Sequence, residues 1–203
     1  MRKLVVTNIM SLDGVVEGPG GDVMALPMDP FFDQHNLERL QAADTFLLGT
    51  RTYLGFKSFW PPVADDPASS PGVAAEPALM EVHREIGQRC NAIDKVVVSD
   101  TLTEVDTAPW TDTTTIVRRG DAHEAVGELR EGDGRDILVH GSRTLWNDLL
   151  AAGLVDELHL MIGAGVVGGG TPAFSEGVHP ALRLFDVDRR DGSDNVVLRY
   201  AVG

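Results

Sequence analysis

Cysteine is nearly absent from this 203-residue chain; Cys90 stands alone, so no intramolecular disulfide can form. A fold held by packing in a reducing cytoplasm is expected. No group of cysteines and histidines has the spacing of a zinc site, so no metal is expected. Apolar runs are short, and none approaches the ~20 residues that cross a bilayer. Arg2 and Lys3 precede an apolar run, but Thr7 and Asn8 interrupt it well short of a signal peptide. That run reads as a first β-strand. Basic residues are also scarce, with 17 Lys and Arg against 31 Asp and Glu, for a formal net charge of -14. The acidity opposes nucleic acid and anionic membranes as partners. Finally, neither GxGxxG nor GxxxxGK[ST] occurs, which disfavours the Rossmann and P-loop readings.

What is present is enough apolar material, 43% of residues, for one sizeable core. A single domain over 1–203 is expected. Strands are predicted at Lys3–Met10, Thr45–Leu48, Lys95–Ser99, Thr113–Val117, Asp136–Val139, Leu154–Gly163, Leu182–Asp188 and Val196–Val202. Helices are predicted at Phe31–Ala43, with Phe32, Leu37, Leu40 and Ala43 inward, and from a Thr50 cap through Tyr53–Lys57. Others are predicted at Glu76–Cys90, from an Asp121 cap to Arg130, and at Arg143–Ala152. Glu17–Pro30 and the Pro-rich Pro61–Pro77 read as loops, the second as a surface insertion. Strands alternating with helices, then two strands in succession, predict an α/β fold. Its central sheet is mostly parallel with antiparallel C-terminal strands, and helices cover both faces.

The segment Asp136–Phe174, DILVHGSRTLWNDLLAAGLVDELHLMIGAGVVGGGTPAF, carries the clearest chemical signal. A strand passing through Gly141 and Ser142 into a helix presents unpaired N–H donors and a partial positive charge, which suit phosphate. Three further strand ends carry small or hydroxylated residues: Ser11–Gly14, Gly49–Thr52, and Ser99 with Asp100. Together they suit a cradle for an extended dinucleotide beyond the carboxyl ends of strands. Singly, each also reads as an ordinary turn or helix cap.

With SLDG, LLGTRTY, VVVSDTL and the long final motif, the chain resembles the dihydrofolate-reductase-like superfamily. It is most similar there to the reductase domain of the riboflavin-biosynthesis deaminase-reductase and its stand-alone relatives. The resemblance implies a three-layer fold and an NADPH-dependent reductase of a small-molecule substrate. It implies that Gly49, Thr50, Arg51 and Thr52 meet the pyrophosphate from one side, and Gly141, Ser142, Arg143 and Thr144 from the other. Ser99 would lie beside the adenosine ribose. Ser11, Leu12, Asp13 and Gly14 would border the nicotinamide and substrate, and the closing strands Leu182–Val202 would pair across a homodimer axis.

Departures from the family pattern sharpen the expectations. Asp100 stands where NADPH users commonly place a basic residue, which leaves NADH open unless Arg51, Arg118 or Arg119 supplies the cation. His140 and Ser142 stand in a usual glycine region. His140 reads as a structural strand-end histidine or as a substrate-side proton donor. Asp33 and Glu38 lie in the region where dihydrofolate reductases carry a helix carboxylate, but neither matches that motif, and the polar neighbours of Asp33 favour a solvated first-turn residue. The implied reaction is hydride transfer to a heterocycle such as 5-amino-6-(5-phosphoribosylamino)uracil. The alternatives are a dihydrofolate reductase in the strict sense and a non-catalytic nucleotide-binding protein.

Overall fold

A computed structural model describes residues 1–203. Its strands are β1 (Leu4–Ser11), β2 (Val15–Glu17), β3 (Ala43–Gly49), β4 (Asp94–Val98), β5 (Thr114–Val117), β6 (Asp136–His140), β7 (Glu157–Gly163), β8 (Thr171–Pro172), β9 (Leu182–Arg189) and β10 (Val196–Val202). Its α-helices are α1 (Pro30–Ala42), α2 (Thr50–Asp65), α3 (Pro71–Ala75), α4 (Met80–Ala92), α5 (Ala122–Glu131) and α6 (Arg143–Ala151). Eight strands form one sheet in the order β5-β4-β3-β6-β1-β7-β10-β9. All pairings from β5 to β7 are parallel, and β10 pairs antiparallel with β7 and β9. This is the expected α/β architecture of the dihydrofolate-reductase type.

Because the central strands are parallel, both faces need helical cover, and both faces of β1 and β7 are buried. One face packs Leu4, Val6, Leu47, Val139 and Leu158 against Trp146 and Leu149 of α6 and Val126 of α5. The other packs Phe46, Leu48, Val97 and Leu138 against Leu40 of α1, Tyr53 of α2, and Ile86 and Cys90 of α4. At ~25 cal/mol per Å² of apolar surface, these two layers supply the main drive for folding. No helix of the molecule is long and apolar enough to cross a membrane.

Several local expectations are corrected. Pro61–Pro77 is not a loop insertion, because α2 continues through Pro61 and Pro62 to Asp65, and a 3-10 turn at Pro67–Ser69 leads into α3. Packing outweighs the helix-breaking tendency of proline here. Val63 and Ala64 are buried, and α4 comes so close that a Cβ on Gly87 would lie 2.8 Å from the Ala64 nitrogen. Helix α1 buries Phe31, His35, Asn36 and Leu40, while Phe32 and Leu37 stay half-buried. An apolar stripe could not reveal this face, since His35 is inward to meet the Thr7 hydroxyl, Nε2 to Oγ1 3.2 Å. The Glu17–Pro30 loop contains 3-10 turns, and its first residue closes β2, which pairs with β8 as a separate two-stranded sheet. Asp121 occupies the N-cap of α5 without a capping side-chain bond.

Candidate functional site

Strands β4, β3 and β6 are neighbours, and their carboxyl ends open on one cleft of about 520 Å³. Gly49, Thr50, Arg51 and Thr52 line one wall, and Ser142, Arg143 and Thr144 line another. The two predicted phosphate loops therefore meet. Glu17, Val98, Arg119, Leu145, Asp148 and Thr171 complete the lining.

The cap assignments differ from expectation. Gly49 is the N-cap of α2, so Thr50 is already inside the helix. The Thr50 hydroxyl donates to Ser99 Oγ at 2.8 Å, and Ser99 Oγ also accepts the Leu102 amide at 3.0 Å. Ser99 is 1% exposed, which places it behind Thr50 at the cleft wall. The first-turn amides of α2, at Thr50, Arg51 and Thr52, have no acceptor within the helix.

Ser142 sits at the N-cap of α6 but does not cap it with its side chain. Its backbone is left-handed (φ 53°, ψ 51°), the one such residue in the chain that is not glycine, and it follows the left-handed Gly141. The Ser142 hydroxyl instead accepts the Gly49 amide at 2.9 Å, and the Ser142 amide donates to Thr52 Oγ1 at 3.1 Å. The two loops are thus clasped to each other.

The remaining candidates divide by what already holds them. Arg143 Nη2 donates to the Phe174 carbonyl at 3.1 Å, and Asn147 ties Ala173 and Ser175, so α6 anchors the end of the glycine-rich loop. Asp13 accepts the amides of Val167 (3.0 Å) and Gly168 (2.8 Å). The Ser11 hydroxyl and then these amides hold its carboxyl down at about 2, so it is a permanent anion bracing that loop. Ser11 is fully buried, Leu12 is exposed with its amide on the Gly165 carbonyl, and the Gly14 carbonyl accepts the Ala173 amide. SLDG therefore joins β1 to the glycine-rich segment.

The cations are equally distinct. Arg118 is turned onto the carbonyls of Ser99 (2.8 Å) and Leu102 (3.1 Å). Arg119 remains exposed at the cleft, its amide on Asp100 Oδ1 at 2.9 Å and its guanidinium Nε 3.6 Å from Asp100 Oδ2. Asp100 is thereby engaged in holding the Arg119 turn. Arg51 crosses to pair with Glu17, which no periodicity in the sequence had singled out.

His140 lies on the opposite face, its ring 5.3 Å from that of Phe56 and 6.3 Å from those of Phe32 and Phe46. Burial pushes its pKa down to about 4, so it is neutral near pH 7. Asp33 is in the first turn of α1, as expected, but it is largely shielded from solvent. It is 3.4 Å from Nε2 of the buried His83, while Asp29 caps α1.

Open helix amides and the exposed guanidinium groups of Arg51 and Arg119 on one cleft are a donor set that fits a dinucleotide's phosphates. A family model described as the RibD C-terminal domain matches residues 2–198. The Bacillus subtilis (strain 168) protein YyaP is 28% identical over 196 residues, spanning 97% of this chain and 92% of its own length. The Thermotoga maritima diaminohydroxyphosphoribosylaminopyrimidine deaminase/5-amino-6-(5-phosphoribosylamino)uracil reductase superposes with a TM-score of 0.64 at 16% identity, over 100% of this chain and 57% of that one. Dihydrofolate reductase from Enterococcus faecalis superposes with a TM-score of 0.52 at 13% identity, over 98% and 96%. These two likenesses are of fold. Membership rests on the match across almost the whole sequence: the chain belongs to the RibD C-terminal domain family, a family of NAD(P)H-dependent reductases.

Proposed function

We infer that this protein is a reductase that moves a hydride from a nicotinamide dinucleotide to a small heterocyclic substrate. The observation that carries this reading is the convergence of Gly49–Thr52 and Ser142–Thr144 on one cleft with open amides and placed arginines. When bound, the cofactor supplies the hydride. The chain's own part is to hold the phosphates at the start of α2 and to keep the cleft walls in register through the Ser142 clasp. The SLDG turn and His140 border the substrate side. A neutral His140 among Phe32, Phe46 and Phe56 offers a flat, weakly polar wall and one hydrogen bond, and is a poor proton source at pH 7.

NADPH is the favoured cofactor because the exposed Arg119 guanidinium lies at the cleft, where a 2′-phosphate would take it over from Asp100, 3.6 Å from its Nε. The specific substrate we propose is 5-amino-6-(5-phosphoribosylamino)uracil. Complementation of a riboflavin-reductase deletion strain tests it, and well-expressed protein that fails to rescue growth would refute it. NADPH oxidation with dihydrofolate would instead identify a dihydrofolate reductase, and cofactor binding without turnover of either compound would favour a nucleotide-binding protein. The unpaired edge strand β9 exposes Leu182, Leu184, Phe185 and Val187, which supports a homodimer across that edge. Light scattering at the mass of a monomer would exclude it.

A further inference from the structure

We propose that Glu17 is a built-in competitor for the anion seat of the cleft and so sets how tightly a phosphate-bearing cofactor binds. This rests on the cofactor reading above. Glu17 ends β2 in the wall facing α2, and it is only 8% exposed although it lines the cleft. One carboxylate oxygen pairs with the Arg51 guanidinium across the opening, and the other accepts the Thr171 hydroxyl at 3.3 Å. Arg51 sits in the first turn of α2, beside the open amides, with its side chain 75% exposed. A carboxylate is thus held at the mouth of the cleft opposite the open amides of α2; the other carboxylate in the lining, Asp148, is paired with His123 at 2.8 Å.

A phosphate seated at the start of α2 needs the same guanidinium, because Arg51 is the cation carried by that turn. Binding then exchanges the Glu17–Arg51 pair for a phosphate–Arg51 pair. It also leaves Glu17 near a dianion, which repels it. The wall that must give is slight, since β2 is three residues long and its one strand partner is the two-residue β8. Thermodynamic linkage requires that whatever stabilises the Glu17–Arg51 pair weakens the cofactor's hold. Removing the Glu17 charge should therefore tighten binding, although it deletes an ion pair.

Calorimetric titration tests this on the full chain with NADPH and with ADP, a probe that carries the pyrophosphate but no nicotinamide. Glu17→Gln is isosteric and keeps an acceptor for Thr171; Glu17→Met repeats the loss of charge should the first variant fold poorly. Both ligands should bind roughly 5-fold more tightly to the Glu17 variant, the upper end of what a charge pair with one exposed partner is worth. Arg51→Gln should weaken binding, and by a larger factor in the Glu17→Gln background than in the wild type. Unchanged or weaker binding to folded Glu17 variants would overturn the proposal and leave Glu17 a brace between two walls. If the wild type binds neither ligand, the cofactor reading itself fails, and this proposal with it.

Discussion

Ser142 combines a strained backbone with a useful side chain, and two substitutions separate them. Its φ of 53° costs a residue with a Cβ about 1 kcal/mol relative to the right-handed region. Its hydroxyl accepts the Gly49 amide at 2.9 Å, worth about 1 kcal/mol in a half-buried setting. Ser142→Ala keeps the strain and loses the bond, so it should be less stable by about 1 kcal/mol. Ser142→Gly loses the bond too but relieves the strain, less a few tenths of a kcal/mol for the looser unfolded chain. It should lie within about 0.5 kcal/mol of the wild type and above the alanine variant. Urea unfolding with a common m-value reads these differences as midpoint shifts. In a chain of this length the alanine loss amounts to roughly 2–4 °C in Tm. An alanine variant as stable as the wild type would show that the bond to Gly49 contributes nothing. A glycine variant no more stable than alanine would show that the left-handed turn carries no strain.

Acid should destabilise the protein through His159, which is 1% exposed and whose pKa burial pushes from an ordinary 6.5 down to about 4. The unfolded chain takes up this proton below pH 6.5 and the native one resists until about pH 4. His159 should therefore contribute about 3 kcal/mol to the loss of stability across that window, beside the buried His140 and His35, and the loss should be smaller in His159→Gln; equal slopes from pH 6.5 to 5 in the two proteins would sink the idea. Gly87→Ala should cost about 2 kcal/mol, because the new Cβ would meet the Ala64 backbone where α2 and α4 are closest. Unaltered thermal unfolding of that variant would mean that the helices can part freely. Arg119→Ala should weaken NADPH binding by roughly 10-fold and NADH binding hardly at all. An equal loss for both cofactors in calorimetry would remove Arg119 from the 2′-phosphate.

The layers and the cleft were legible because they rest on local signals: β-rich runs, helices between them, and small residues at strand ends. Gly49–Thr52 and Gly141–Thr144 need only their own strand-to-helix turns to be placed, and parallel pairing of β3 with β6 then brings them together. What stayed hidden depends on pairings distant in sequence. Pro61 and Pro62 read as loop because local propensity is blind to Gly87, 25 or more positions on, where α4 admits Ala64. Asp100 read as hostile to phosphate because nothing local indicates that the Arg119 amide occupies it. Glu17 was invisible for the same reason: its meaning lies in Arg51, 34 residues later, and in a strand pair too short to leave a pattern. Charges in this cleft are therefore defined by their partners more than by their own positions. A carboxylate's effect on an anionic ligand follows from the cation it holds: Glu17 is paired with Arg51, and Asp100, besides accepting the Arg119 amide, lies 3.6 Å from the Arg119 guanidinium.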